Sequence, residues 1–240
     1  MAFDVLIIVV ITSFVQSIFG VGVLLFGTPL LLLQGYDFIS AIMILLPISV
    51  SINLIQIAKD FRSVDMDFYK KILLYTIPFV VVFLFAVTLV SINIGIIIGM
   101  FLLFVAAKNF SRRINEIIKY LVKYEKVYFM IMGIIHGLTN LGGSLLTAIV
   151  HSKDYEKKVT RVTVAVSYAT FAIFQMITLM VSGYAFEFRL SGIGVYLIAG
   201  ISIFLLTEKM VYMDINNKNY SHGFAVFLLL SGILLCAKSF

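Results

Sequence analysis

The sequence predicts an all-α integral membrane protein made of two four-segment repeats. Three observations carry that prediction. Of 240 residues, 62% are hydrophobic and only 12% are charged; apolar runs of the roughly twenty residues needed for one crossing recur along the chain; and each half opens with a glycine-interrupted segment. A mean hydropathy of +1.10 excludes a soluble globular fold, because such a core would have almost no polar surface to cover it. Runs such as Phe79-Val-Val-Val-Phe-Leu-Phe lack the alternation that a membrane β-barrel requires.

Eight segments follow. Segment A (3–34) is too long for one crossing and carries Gly20-Val-Gly22 in its middle and Thr28-Pro29 beyond, so it reads as a broken helix. Segments B (38–58), C (71–91) and D (92–107) complete the first repeat, residues 1–107. A linker over 108–126 places Phe110, Ile114, Ile117, Ile118, Leu121 and Val122 at helical spacing among basic residues. It reads as an amphipathic helix lying on an anionic leaflet. Segment E (127–150) opens the second repeat, residues 127–240, and holds Gly137 and then Asn140-Leu-Gly142-Gly143-Ser144, again a break. Segments F (159–182), G (188–207) and H (222–240) close the chain. Gly95 and Gly99 of D form a GxxxG pair that lets two helices approach closely. Paired interrupted segments at matching positions of two halves point to a transporter site at the repeat interface.

Charge fixes the expected topology. If segment E dips and returns, sixteen of the eighteen Lys and Arg residues share one face, leaving Arg189 and Lys238 on the other. If E crosses once, the split falls to twelve against six, so the excess of basic residues on the cytoplasmic side favours the hairpin. If A also returns, three crossings follow each hairpin and the repeats are inverted. The net charge of +6 lies in short connections, which reads as topology signal and lipid contact and not as nucleic-acid binding. A single cysteine, Cys236, excludes an intrachain disulfide and a cysteine-based metal site. No basic n-region opens the chain, so the first apolar run is expected to be retained.

No Asp or Glu falls in the middle of a span, which removes the carboxylate relay of proton pumps and the carboxylate cage of a divalent-cation carrier. The spans hold uncharged hydrogen-bonding groups instead. Two broken segments facing each other offer helix N-termini, whose amides and partial positive charge suit an oxyanion without a buried Lys or Arg. The candidate substrate site is therefore Gln16, Gly20, Gly22 and Thr28 of A, Asn53 of B, His136, Asn140, Gly142, Gly143 and Ser144 of E, and Gln175 of F. No metal ligand set and no cofactor is expected. His136 is the one titratable group at depth. Ser144 with His136 also admits an intramembrane serine protease, but Leu145 stands where the glycine of a rhomboid-like motif would follow the serine. A passive anion channel on the same scaffold is the other alternative.

Gly20-Val-Gly22, Pro29, Gly35 and Ala41 in the first half, with Gly133-Ile-Ile-His-Gly137-Leu-Thr-Asn-Leu-Gly142-Gly143-Ser144 and then Arg161 in the second, resemble the repeat patterns of the TauE/SafE family of sulfite exporters and organosulfonate permeases. Val23 and Leu24 depart from the family's run of glycines, and Ser144 stands where proline is common. The resemblance implies a bacterial inner-membrane permease for sulfite, a sulfonate or a related small anion, without a bound cofactor. With an inside-negative potential, export of that anion is expected.

Overall fold

The computed structural model describes residues 2–90, 93–184, 190–211 and 217–239. The segment ends Ser91, Ile92, Phe188 and Phe240, and Arg189 of the charge argument, lie outside them, as do the side chains of Phe110, Ile114 and Ile118 in the linker. All regular structure among the described residues is helical, the α-helices being α1 (Phe3–Phe19), α2 (Val23–Gln34), α3 (Phe38–Asp60), α4 (Met66–Lys71), α5 (Ile77–Leu89), α6 (Ile94–Phe110), α7 (Arg112–Lys123), α8 (Glu125–Thr139), α9 (Gly143–His151), α10 (Lys157–Val181), α11 (Leu190–Val211) and α12 (Asn217–Ser239). A π-helical turn at Ile72–Thr76 joins α4 to α5, so segment C starts earlier than its charges suggest. Among the described residues, three stretches, Phe38–Ser63, Met66–Leu89 and Lys157–Val181, are long and apolar enough to cross a membrane.

The surface is that of a protein dissolved in lipid. On α1 the exposed residues Phe3, Ile7, Ile11 and Phe14 form one apolar stripe, and Ile173, Ile177 and Met180 do the same on α10. Thr12, Ser13, Gln16 and Ser17 of α1 are buried. Apolar outside and polar inside inverts the soluble pattern, and it is stable where the solvent is hydrocarbon.

Both expected breaks are present and are made in the same way. Gly20 closes α1 in the left-handed conformation (φ 74°), its N–H donating to the Gln16 carbonyl at 2.9 Å. Asn140 closes α8 likewise (φ 62°), donating to the His136 carbonyl at 2.8 Å. Glycine pays no Cβ penalty there, and asparagine is among the few other residues that tolerate it. Pro29 and Gly137 break nothing. Pro29 lies inside α2, and Gly137 lies inside α8. Gly133 and Gly137, one turn apart, bring α8 onto the α5 helix, where a Cβ on Gly137 would stand 2.8 Å from the Val80 carbonyl oxygen. Gly99 does the same for α6 against α12, within 3.0 Å of the Gly232 carbonyl, as the GxxxG reading expects.

Each broken segment returns to the end of the bundle where it began. Tyr36, just past α2, donates to Asp4 of α1 at 3.1 Å, and Lys153, just past α9, pairs with Glu125 at the start of α8. At the second end, Lys71 also pairs with Glu125 (2.6 Å), Lys158 with Asp60 (3.0 Å), and Lys59 and Arg161 both with Glu208. The last turns of α3 and α11, the end of α9 and the starts of α8 and α10 therefore sit together. At the first end, Tyr196 binds the backbone of Ala2, Asn93 donates to the Ser239 carbonyl at 2.9 Å, and Lys238 donates to that of Leu33 at 2.9 Å.

Candidate functional site

The interior is organised by the two hairpins and the long helix that follows each. α3 packs against α10 at the centre, α1 against α11, and α8 against α5. Around the first break, Val23 N–H, one of the orphan donors at the start of α2, donates to Gln16 Oε1 at 3.0 Å. Gln16 Nε2 donates to Asn53 Oδ1 at 3.2 Å, and Asn53 Nδ2 to Ser49 Oγ at 3.2 Å. All three side chains are buried. The carboxamide of Gln16 thus occupies the helix start that the sequence offered to a ligand.

Around the second break the partners are His136 and Gln175. His136 Nε2 lies 3.2 Å from Gln175 Oε1, and the ring packs on Phe171 of α10 with centroids 4.6 Å apart. Asn140 Nδ2 donates to Thr28 Oγ1 of α2 at 2.8 Å, so the tip of the second hairpin meets the returning arm of the first. Thr139 Oγ1 accepts from Leu141 N–H at 3.2 Å. His136 Nδ1, Asn140 Oδ1 and Gln175 Nε2 are buried and have no hydrogen-bond partner among the described residues, nor do Ser13 Oγ and both amide atoms of Gln56. A buried polar atom left without a partner costs about 1–3 kcal/mol, a cost that a polar group bonded to it would remove.

Gly22 and Gly142 face their own hairpins, whereas Gly20 and Gly143 face α10. A Cβ on Gly22 would stand 2.5 Å from Gln16 N and 2.6 Å from the Thr12 carbonyl oxygen; on Gly142 it would meet His136 Cβ at 2.5 Å; on Gly143 it would overlap the Tyr168 hydroxyl. Gly20 has more room, the nearest atom to such a Cβ being Arg161 Cγ at 3.8 Å. Ser144 Oγ donates to the Leu141 carbonyl at 3.0 Å while His136 Nε2 faces Gln175. The serine and the histidine thus spend their hydrogen bonds on different partners, not on the nucleophile–base contact of a serine hydrolase.

One buried charged group, Glu208, is not among the residues that the sequence selects. The apolar run of segment G ends at Thr207, which puts the next residue in a loop; α11 runs on to Val211, and Glu208 is only 6% exposed. It takes Arg161 from the head of α10 and Lys59 from the end of α3. An acid following an apolar run was the available signal, but only the packing of three helices shows that it is covered.

A family profile described as Sulfite exporter TauE/SafE matches residues 5–235. No curated protein and no solved structure matches the chain.

Proposed function

The chain belongs to the sulfite exporter TauE/SafE family, and from that premise we propose that it is a multi-pass permease of a bacterial plasma membrane. It exports a small sulfur-containing oxyanion, sulfite or a sulfonate, through the space between its two broken helices. The observation that carries the reading is the junction of the two hairpins at Asn140 and Thr28, surrounded by the partnerless atoms of His136, Asn140 and Gln175. The site is neutral and made of groups that rotate between donor and acceptor, as carboxamides and imidazole do. Gln16 on Val23 N–H is an exchangeable cap; an oxyanion that takes its place gains the partial positive charge of the start of α2.

Two inverted repeats, 1–107 and 127–240, joined by the amphipathic linker 108–126, account for the packing. α1 lies on α11 as α8 lies on α5, α3 pairs with α10, and α6 with α12, which is the pattern of partners exchanged by a two-fold axis. The hydrogen bond from Gln16 to Asn53 is answered by His136 with Gln175, each beginning four residues before a left-handed residue. A returning hairpin followed by three crossings reverses the second repeat relative to the first. The end rich in basic residues is then cytoplasmic. There Glu208 ties α11 to Arg161 of the second repeat and Lys59 of the first, a closure that favours alternating access over an open pore.

An inside-negative potential drives an anion outward by about 2.3 kcal/mol per charge per 100 mV, so export needs no buried carboxylate. The test is sulfite flux in proteoliposomes under potassium–valinomycin potentials of either sign. Saturable efflux that follows the sign of the potential is expected. Flux that does not saturate identifies a passive channel; flux indifferent to the potential and dependent on a proton or sodium gradient overturns the driving force.

A further inference from the structure

A cavity of about 640 Å³ lies at the basic end of the bundle, in the angle between the α4–α5 helix and the corner where α7 meets α8. Four lysines line it, Lys70, Lys71, Lys123 and Lys126, against the single carboxylate of Glu125. That carboxylate is already shared by Lys71 and Lys153. Lys70 has an exposed pair with Asp67 at 3.4 Å, of the kind worth little. Lys126 lies 5.8 Å from the centroid of the Tyr75 ring, and neither it nor Lys123 is bonded to a carboxylate among the described residues. The cavity therefore holds uncompensated positive charge.

Its remaining wall is apolar and faces outward. Leu74 is 64% exposed and Val127 48%, on helix surfaces that continue into the apolar exterior. Tyr75 and Tyr124 stand at the boundary between the two, the position that amphipathic aromatic side chains take at a membrane interface. A free inorganic anion would use the lysines and gain nothing from Leu74 and Val127. A molecule with an anionic head and apolar tails uses both.

We propose that this cavity binds the headgroup of an anionic phospholipid, the phosphate held by Lys123 and Lys126 and the acyl chains running over Leu74 and Val127. The volume matches that of small-molecule sites. Occupancy would brace the start of the second hairpin, since Glu125 and Val127 belong to α8. The inference rests on placing this end at the membrane surface and not on the identity of the transported anion, so its test uses binding alone.

The full-length protein in neutral detergent is titrated with phosphatidylglycerol, with phosphatidylcholine of the same chains, and with inorganic phosphate, following thermal stability; native mass spectrometry counts the lipids retained. Phosphatidylglycerol is expected to stabilise, and the other two are not. Lys123→Gln/Lys126→Gln, both exposed and tolerant of the change, should weaken its apparent affinity roughly thirtyfold. Arg62→Gln/Lys157→Gln, exposed at the same end outside the cavity, should leave it unaltered. Equal stabilisation by both lipids, an equal loss in both double variants, or full stabilisation by phosphate alone would each overturn the proposal. If the lysine variant has a lowered starting stability, the lipid count on the wild type decides, and retention of phosphatidylcholine as readily as phosphatidylglycerol counts against the site.

Discussion

Removing the Glu208 carboxylate should destabilise this protein far more than a surface charge would. Its side chain is 6% exposed, and its two partners differ in what they can do without it. Lys59, 45% exposed, still reaches water, and its share is that of an exposed pair, at most about 1 kcal/mol. Arg161 is 14% exposed, beside the first break, and Glu208→Ala leaves its guanidinium covered without that carboxylate, a situation that costs about 3–5 kcal/mol. The folding equilibrium should therefore fall by roughly two to four decades. Arg161→Met combined with Glu208→Met removes both charges at similar volume and should cost far less, because a buried pair gains little over apolar packing. The assay is reversible unfolding by sodium dodecyl sulfate in mixed micelles, followed by circular dichroism, with Glu208→Ala measured beside a double-mutant cycle of the wild type, Arg161→Met, Glu208→Met and their combination. A loss of about 1 kcal/mol or less for Glu208→Ala, or a double variant as unstable as the single, would refute the reasoning.

Three further outcomes are expected. In a Cys236→Ala background, cysteines placed at Ser152 and at Lys119 should be labelled from the same, cytoplasmic, side, whereas one at Asp37 should be labelled from the other; labelling of Ser152 from outside would sink the returning hairpin. Asn140→Gly keeps the left-handed backbone but deletes the bond to Thr28; stability should drop by only about 1 kcal/mol while sulfite no longer protects against thermal unfolding, and intact protection would remove Asn140 from the site. Lys153, and then Lys71, hold the Glu125 carboxyl below its ordinary value. Their contribution is thus fully present above the unfolded carboxylate range near 4.3 and is lost as pH falls through the lowered value. Melting curves of the wild type from pH 7 to pH 3 should steepen in their decline below about pH 4, and Glu125→Gln should flatten that decline; parallel curves would deny the pair a role.

What the sequence determined by itself was whatever depends on neighbours along the chain. Composition fixed the solvent as lipid, because no arrangement could cover so much apolar surface with 12% charged residues. The two breaks were legible at Gly20 and Asn140 because a left-handed residue is a local requirement. The balance of basic residues likewise marked the connections that meet at one end, since the membrane sorts charge segment by segment. Tertiary structure alone decided the rest. Pro29 sits inside α2 and Gly137 inside α8, because a backbone group freed or crowded by one helix is accommodated by the next. Gly22, Gly142 and Gly143 proved to be points of contact within or beside the hairpins, which no spacing along one helix can reveal. The pairing of Gln16 with Asn53, of His136 with Gln175 and of Asn140 with Thr28 spans 37 to 112 residues. The contacts that cover Glu208 span 47 and 149 residues and need α3, α10 and α11 to converge. Hydrogen-bonding capacity is a property of each residue and can be read from its letter; whether that capacity is spent or left for a ligand depends on which distant group the fold brings within 3 Å.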